Sequence, residues 1–223
     1  MKNINKNIQT DILNKLTPEI IKDMEKIWFT ADLHAHHPKI VDICSRPISK
    51  EENDEWLIKE VYNKYIQRKD DVYILGDLSL GKRKDAEKFV ARLNGNKHLI
   101  TGNHDKSVDH LGNWTEITQI KDFTYSRFGL NIHIVLCHYP MSSWNRKIHG
   151  SWHLYGHCHG RFENSGLSWD VGIDNKNGMG NSHIGRIDNM WKPINLYEVC
   201  KLMNIRQLVG KDKVDNTESI VEI

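Results

Sequence analysis

The 223-residue sequence lacks the marks of a membrane, secreted or strongly charged protein. No run of about 18 apolar residues occurs, so no segment predicts a membrane span. The N-terminal stretch MKNINKNIQTDILNKL is polar and has no apolar core of the kind found in secretory signals. The net charge of +2 is too small to favour nucleic acid or an anionic membrane as a stable partner.

Cysteines are few, and linker-like stretches are missing. The four cysteines, Cys44, Cys137, Cys158 and Cys200, show neither CxxC spacing nor the density of a disulfide-rich domain. With no export signal, this pattern predicts reduced thiols and a cytoplasmic location. The sequence has no internal repeat and no Pro/Gly/Ser linker. We expect a helical extension packed on the domain over residues 1–25, one domain over 26–200, and a tail without assigned role over 201–223.

Histidine, by contrast, is abundant, with 13 residues. It is the commonest transition-metal ligand and the usual acid or base near neutral pH. Several of these histidines follow apolar stretches that read as buried strands: IWFTADLH, DVYILGD, KHLITGNHD, NIHIVLCHYP and WHLYGHCHG, with LSWDVGID as a sixth strand. Ligand sites in α/β folds gather beyond the carboxyl ends of strands. The pattern therefore predicts a site built from strand ends.

Helical segments alternate with the early strands. Thr17-Pro18 suits a helix start, and Ser49 with Glu52 fits a capping box that opens a helix with an apolar face from Leu57 to Ile66. Residues 86–93 read as a further helix, closed by Asn94-Gly95. This alternation predicts an α/β architecture with mixed sheets and helices outside them.

Five short blocks carry the metal-binding chemistry. They are Asp32-Leu33-His34, Gly76-Asp77, Gly102-Asn103-His104-Asp105, His138, and His157-Cys158-His159. Each block alone suits a polar turn or a structural histidine, but chance rarely places all five at successive strand ends. In an extended chain, alternate side chains share a face. We therefore expect His157 and His159 on one side, and Cys158 on the other as a small packing residue.

In this order the blocks resemble the calcineurin-like metallophosphoesterase superfamily, whose pattern is D-x-H, G-D, G-N-H-D/E, H and G-H-x-H. The resemblance implies a four-layer α/β/β/α sandwich of two mixed sheets, with a dinuclear metal site on one edge. It assigns Asp32, His34, Asp77 and His159 to one metal, and Asp77, Asn103, His138 and His157 to the other. Asp77 would bridge them at the separation of about 3.5–4 Å used in two-metal hydrolysis. Mixed N/O ligation favours Mn, Fe, Zn, Co or Ni over Ca.

The resemblance also implies roles around the metals. His104 would face the substrate and protonate the leaving oxygen, with Asp105 orienting its ring. His37 matches a family histidine close to the phosphate or a metal ligand, whereas His36 replaces a glycine and would face solvent. Asn103 would contact the substrate as well as a metal.

Outside the motif blocks, three further features bear on the site. Arg46-Pro47 either places a cation at the mouth, where Arg46 would bind substrate, or serves a turn. Asp170 and Asp174 are expected to brace the backbone around the site and not to bind metal. Trp144, among basic residues in MSSWNRKIHGSWH, suits either stacking of a base or ordinary packing.

The sequence resembles some branches of the superfamily more than others, and this limits the reactions to be expected. In GDLSLGKRK, Leu80 and Gly81 replace the Asp and Arg of the G-D-x-V-D-R-G block in protein Ser/Thr phosphatases, which argues against that activity. ADLHAHH, CHYPMSSW and YGHCHG are more similar to the small bacterial and phage phosphoesterases that carry SDLHFGH, CHYPM..W and HGHSHG.

The favoured function is hydrolysis of a small phosphodiester, such as a nucleotide or cyclic nucleotide, by a metal-bound hydroxide assisted by His104. The alternatives are a DNA or RNA nuclease, a phosphomonoesterase, and a catalytically silent metal-binding scaffold of the same fold. The small net charge argues against the nuclease. A structural zinc module is disfavoured because such sites are typically closed and rich in cysteine.

Overall fold

The structure, a computed structural model, describes residues 12–107, 111, 114–162, 165–177 and 190–218, with side chains up to residue 207 in the last helix. Nine strands are assigned there: β1 Ile27–Thr30, β2 Asp71–Ile74, β3 Asn96–Ile100, β4 Glu116–Thr118, β5 Ile120–Arg127, β6 Leu130–Cys137, β7 Trp152–Tyr155, β8 Ser168–Asp170 and β9 Ile194–Asn195. The helices are α1 Pro18–Met24, α2 Ile40–Cys44, α3 Asn53–Trp56, α4 Arg83–Ala91 and α5 Leu196–Glu218.

The strands form two mixed sheets. In the first sheet the order is β4-β3-β2-β1-β9, with β1 to β4 parallel and β9 antiparallel to β1. In the second the order is β5-β6-β7-β8, where β5 and β6 are antiparallel and β6, β7 and β8 are parallel. Because the parallel strands of each sheet end on the same side, the loops that follow them meet at one edge.

The core lies between the sheets and beneath the helices. One cluster joins side chains of both sheets, including Phe29, Leu75, Ile134 and Leu154. A second cluster packs the helical region after Asn53 and helix α4 on the other face of the first sheet, around Ile74. The α/β prediction of two mixed sheets with flanking helices is confirmed.

Some helix starts differ from the sequence prediction. Helix α1 begins as expected, with Pro18 in its first turn and the Thr17 hydroxyl accepting a bond from the Ile20 amide. The capping box at Ser49 is wrong: the Ser49 hydroxyl donates to the Glu52 carboxylate, and the helix begins only at Asn53. It continues as a π-helix over Leu57–Tyr62, whose buried side chains follow the predicted apolar face.

The chain ends carry more of the core than the sequence indicates. Helix α5 starts before residue 200 and runs past it, so the boundary expected there falls within a helix. Leu202, Met203 and Ile205 belong to the inter-sheet cluster, as do Ile20 and Met24 of α1. Residues 1–11 of the predicted N-terminal extension lie outside the described residues.

The two sheets are joined at the edge where their strands end. Ala31, directly after β1, makes a parallel bridge to Gly172, two residues after β8. The Ile173 amide donates to the Ala31 carbonyl there. This bridge brings the loops after β1, β2 and β3 close to those after β6 and β7. None of the described helices is both long and apolar enough to span a bilayer.

Candidate metal centre

The shared edge gathers two groups of potential metal ligands. Asp32, His34 and His159 form one group, and Asp77, His138 and His157 form the other, with ligand atoms within 4.8 Å of one another in each. Asp32, His34, Asp77 and His138 are buried, whereas His157 is exposed. Each group contains three of the four residues that the family pattern implies for one metal.

Asp77 lies between the two groups. Its Oδ2 atom is 3.7 Å from Nε2 of His34 and 3.5 Å from Nε2 of His138. Asn103 belongs to the second group, since its Oδ1 atom is 3.2 Å from Nε2 of His138. One carboxylate oxygen therefore faces histidines of both groups, as a bridging ligand must.

The ligands are not presented by extended chain, contrary to our expectation. Five of the candidate ligands have left-handed φ angles: Asp32 59°, His34 49°, Asp77 53°, His157 70° and His159 49°. Such angles are uncommon for residues other than glycine and cluster at functional sites. Strands β1, β2 and β7 end before these residues, so tight turns, rather than strand alternation, aim the side chains.

Two glycines permit the close approach of loops at the centre. Gly76 has φ +82°, and a Cβ atom there would lie 2.5 Å from Nδ1 of His138. A Cβ atom at Gly102 would lie 2.5 Å from Oδ1 of Asp77. Both distances are far below a van der Waals contact, so any larger residue would displace His138 or Asp77.

The residues present fit divalent cations. Both ring nitrogens of His34 are buried and lack a hydrogen-bond partner among the described residues, which is costly unless a ligand engages them. Around the centre, the described part of the chain buries five carboxylates and one guanidinium: Asp32, Asp77, Asp105, Asp170, Asp174 and Arg46. Two divalent cations would offset this excess of negative charge, which is otherwise expensive to bury.

The pKa values of three buried side chains at the site are shifted by burial and by their charged neighbours. Burial, followed by the charges of Asp170, Asp77 and Asp174, raises the pKa of Asp32 well above its usual range. Burial also lowers the pKa of His34 to about 3, which keeps the imidazole in its ligating neutral form. Burial alone would raise the pKa of Asp77, but contacts with His138, together with the His104 amide and the charge of His34, lower that pKa to about 2.

Comparison with known proteins places this arrangement in a family. The sequence profile described as calcineurin-like phosphoesterase matches residues 25–193, most of the chain. The chain belongs to the calcineurin-like phosphoesterase family. The superfamily prediction is thereby confirmed, and the matched segment contains all five motif blocks.

Individual relatives agree with this membership. An uncharacterized protein of Methanocaldococcus jannaschii is 36% identical over 139 residues, covering 61% of this chain and 70% of its own. The Gene 66 protein of Mycobacterium phage L5 is 38% identical over 85 residues, covering 37% of this chain and 41% of its own. The Gene 66 protein of Mycobacterium phage D29 is 26% identical over 170 residues, covering 65% of this chain and 84% of its own length. The phage proteins are consistent with a small phage-type branch.

A solved structure shares the fold. A protein of unknown function from Aquifex aeolicus superposes with a TM-score of 0.55 at 20% identity, covering 79% of this chain and 98% of the other. At that identity the similarity shows the fold alone.

In this family member, Asp105 does not have the predicted task. Its carboxylate accepts hydrogen bonds from three backbone amides, those of Asp77, Leu78 and Gly102, at 2.7–2.9 Å. The prediction that it orients the His104 ring is therefore replaced by a role in fixing the two ligand-bearing loops against each other. The physical reason is that both oxygens of this buried carboxylate are occupied by backbone amides of the loops after β2 and β3.

His104 lies at the mouth of the centre. Its side chain is exposed, and its ring centroid is 5.7 Å from that of His34. Its backbone amide donates to Oδ1 of Asp77 at 2.9 Å, so Asp77 also holds the loop that carries His104. This placement leaves the imidazole free to meet a substrate.

The two histidines after the first motif differ in their surroundings. The His37 ring lies 5.6 Å from that of His34 and accepts a bond from the Lys39 amide. His36 was expected to face solvent, but it is only partly exposed: its ring contacts Ser79 and Asp54. No sequence pattern indicated the contact between His36 and Asp54, because the two residues are 18 positions apart.

Arg46 is not at the mouth, so its predicted role in substrate binding is wrong. The side chain is fully buried, and its guanidinium makes a two-point ion pair with Asp174 at 3.0 and 2.9 Å. A guanidinium whose donors are occupied by buried acceptors cannot reach a phosphate. The bracing predicted for Asp174 is found, since Oδ2 of Asp174 also lies 3.1 Å from Nδ1 of His159. Asp170 accepts bonds from the amides of Gly160 and Gly172.

Cys44 is a neighbour of the centre that sequence reasoning missed. Its Sγ atom is 3.4 Å from Nδ1 of His159, and Cys44, His159 and Asp174 could in principle hold an ion. Arg46 already neutralises Asp174, however, and burial raises the pKa of the Cys44 thiol to about 12. A neutral thiol and an occupied carboxylate disfavour a cation there.

Trp144 packs and does not offer a stacking surface. It is 6% exposed, its indole nitrogen donates to the Ser151 carbonyl, and its ring lies 5.2 Å from that of His153. Tyr139, immediately after His138, is the exposed aromatic at the centre instead. Its ring centroid lies 4.9 Å from those of both His138 and His157. The CHYPM motif contained the only sequence signal for it.

Replacement of Cys158 by serine is expected to leave metal content and hydrolysis unchanged within about twofold. Cys158 lies between the two ligating histidines but belongs to neither ligand group. Burial, followed by the charge of Asp170, raises the pKa of its thiol to about 11, which keeps it from acting as a thiolate. Metal analysis of the purified variant checks this, and loss of one metal equivalent would contradict it.

Proposed function

We propose that the chain is a two-metal phosphoesterase that hydrolyses a small phosphodiester, with a nucleotide or cyclic nucleotide as the favoured class. The observation that carries the proposal is the position of Asp77, whose Oδ2 atom faces His34 of one ligand group and His138 of the other. A shared carboxylate is the feature that distinguishes a two-metal hydrolase from two unrelated ion sites. Mn, Fe, Zn, Ni or Co suits the mixed imidazole, carboxylate and amide donors.

Bound cations would supply an activated water nucleophile and stabilisation of charge on the phosphoryl oxygens. The protein would hold both sets of ligands in place at the shared edge of the two sheets before any cation binds. The backbone amide of His157 donates to both oxygens of Asp32, and Nδ1 of His138 is 2.8 Å from the Leu75 carbonyl. Such contacts orient each ligand before a cation or substrate arrives.

His104 completes the reaction by protonating the leaving oxygen. The exposed ring lies beside His34 at the mouth, where a leaving group would depart. A positioned acid is needed because an alkoxide is a poor leaving group in water. Asp105 and Asp77 contribute by holding the loop, through the amides of Gly102 and His104.

The groups at the mouth favour a diester over a monoester. At neutral pH a phosphomonoester carries a charge of about −1.5 to −2, whereas a diester carries a single negative charge. Arg46 is buried against Asp174, and Gly81 stands where protein phosphatases have an arginine. Imidazole and amide groups of His37, Asn103 and His104 remain for the substrate, which suits the singly charged ester.

An aromatic platform supports a nucleotide substrate. Tyr139 is 44% exposed, and its ring packs against His138 and His157 of the second group. Exposed rings beside a phosphate site provide a surface on which a base can stack.

The four cysteines are free thiols, which supports a reducing compartment such as the cytoplasm.

A substrate panel tests the proposal. Protein stripped of metal and reconstituted with Mn, Ni, Zn or Fe is assayed with an aryl phosphodiester, an aryl phosphomonoester, cyclic nucleotides and a single-stranded oligonucleotide. We expect metal-dependent turnover, with the diester and cyclic nucleotides ahead of the monoester by at least about tenfold in kcat/KM. Preference for the oligonucleotide would instead indicate a nuclease. Metal-loaded protein inert toward all four would indicate a silent scaffold.

A further inference from the structure

A buried arginine connects the first and last ligand segments of one metal group. The Arg46 side chain has no exposed surface, and it makes five hydrogen bonds of 2.9–3.0 Å. Its acceptors are the carbonyls of Asp32 and Leu33, the Asn53 side chain and both oxygens of Asp174. A guanidinium buried at such cost is retained where its fork geometry is needed.

On one side, the guanidinium fixes the backbone of the first motif. NH2 donates to the Asp32 carbonyl and NH1 to the Leu33 carbonyl, and both bonds lie between two residues in the left-handed region, Asp32 and His34. Backbone in this region persists only when its surroundings hold it. Arg46 is thus in place to maintain the turn that aims Asp32 and His34 together.

On the other side, the guanidinium acts on His159 through Asp174. The carboxylate of Asp174 is gripped by Nε and NH2 of Arg46, and its Oδ2 atom lies 3.1 Å from Nδ1 of His159. A carboxylate on one ring nitrogen fixes the tautomer and ring orientation, which directs the other nitrogen to a metal. The His34 and His159 rings are stacked with centroids 5.1 Å apart, so the two ligands share this support.

We propose that Arg46 is a positioning residue that sets the affinity of the Asp32/His34/His159 group for its metal, without comparable effect on the Asp77/His138/His157 group. The inference rests on the proposed two-metal centre. The second group has supports of its own: His138 is held by the Leu75 carbonyl and the Asp77 turn by Asp105. Arg46 makes none of its five bonds to those residues.

The test is a calorimetric titration of metal-free protein with Mn²⁺, comparing the natural chain with Arg46→Gln and Arg46→Lys. Both variants are expected to lose about 10- to 100-fold in affinity for one metal, the range typical of residues that orient a ligand, while the other affinity changes less than about threefold. Electron paramagnetic resonance at two equivalents should change from a coupled pair to isolated Mn²⁺. Arg161→Gln is the matched control, since Arg161 is exposed and donates to the Ile43 carbonyl in the same region.

The outcomes separate this inference from the proposed function. If the natural chain binds fewer than two Mn²⁺, the two-metal centre itself fails. If it binds two and the Arg46 variants lose both affinities equally, or lose neither, the positioning role is refuted while the centre stands. Should Arg46→Gln fail to fold by circular dichroism, Arg46→Lys and Asp174→Asn provide the same comparison. Selective weakening of one metal in either of them supports the inference.

Discussion

Replacement of His104 by alanine is expected to lower kcat about 10²- to 10⁴-fold while both metals remain bound, the range attributed to a positioned general acid. The side chain is exposed at the mouth, so its removal leaves no cavity in the core. The link from residue 104 to the centre runs through its backbone amide, which donates to Oδ1 of Asp77 and persists in the variant. Stopped-time assays with a cyclic nucleotide, paired with metal analysis, measure both quantities.

The loss of kcat in His104→Ala should depend on the leaving group of the substrate. An ester with an acidic leaving phenol needs little protonation, so the loss should be smaller for it than for a cyclic nucleotide, whose leaving alkoxide needs a proton. His149→Ala is the matched control, because His149 is an exposed histidine in the loop between β6 and β7 and belongs to neither ligand group. Loss of metal from His104→Ala, or an unchanged kcat with cyclic nucleotides, would contradict the assigned role.

Replacement of Asp77 by asparagine is expected to reduce bound metal from two equivalents to at most one, and to lower hydrolysis by roughly 10³-fold or more. The amide is neutral and cannot bridge two cations, and the stabilisation that a two-metal site gives is worth several kcal/mol. Asp77 also faces His34 and His138 at once, so both ligand groups lose a donor. Metal analysis after gel filtration and a diesterase assay measure the two effects.

A second buried aspartate controls for general destabilisation. Asp70 is 6% exposed, and its carboxylate accepts from the Trp28 indole at 3.0 Å and from the Gln67 amide, away from the metal centre. Asp70→Asn is expected to lower thermal stability while keeping two metals. If Asp77→Asn retained two metals and normal turnover, the bridging role of Asp77 would be refuted.

The candidate metal ligands could be picked out from the sequence because their residue types follow apolar strands. Asp32, Asp77 and His138 each come directly or shortly after an apolar run. Parallel pairing of β1 with β2 places Asp32 and Asp77 at one edge of the first sheet, and the bridge between Ala31 and Gly172 brings the second sheet, which carries His138, to that edge. The geometry within each motif was not predictable in the same way. Asp32 and His34 were expected to share a face of an extended chain, yet both adopt left-handed angles set by contacts from other segments.

Long-range pairing explains most of the remaining differences. The partner of Arg46 is Asp174, 128 positions along the chain, and no local pattern links a proline-flanked arginine to it. Asp105 similarly bonds to the Asp77 turn, 28 positions away, where proximity in sequence had suggested His104. Helix α5 was missed because Leu202, Met203 and Ile205 are spaced among polar residues, and only the facing sheet makes them core.

The most direct test of the two-metal account is a titration of metal-free protein with Mn²⁺, in which bound metal per chain and hydrolysis of an aryl phosphodiester are followed together. The account predicts saturation at two equivalents, with turnover appearing only as the second equivalent binds. Full turnover at one equivalent, or two bound equivalents with no hydrolysis of any phosphoester, would contradict it.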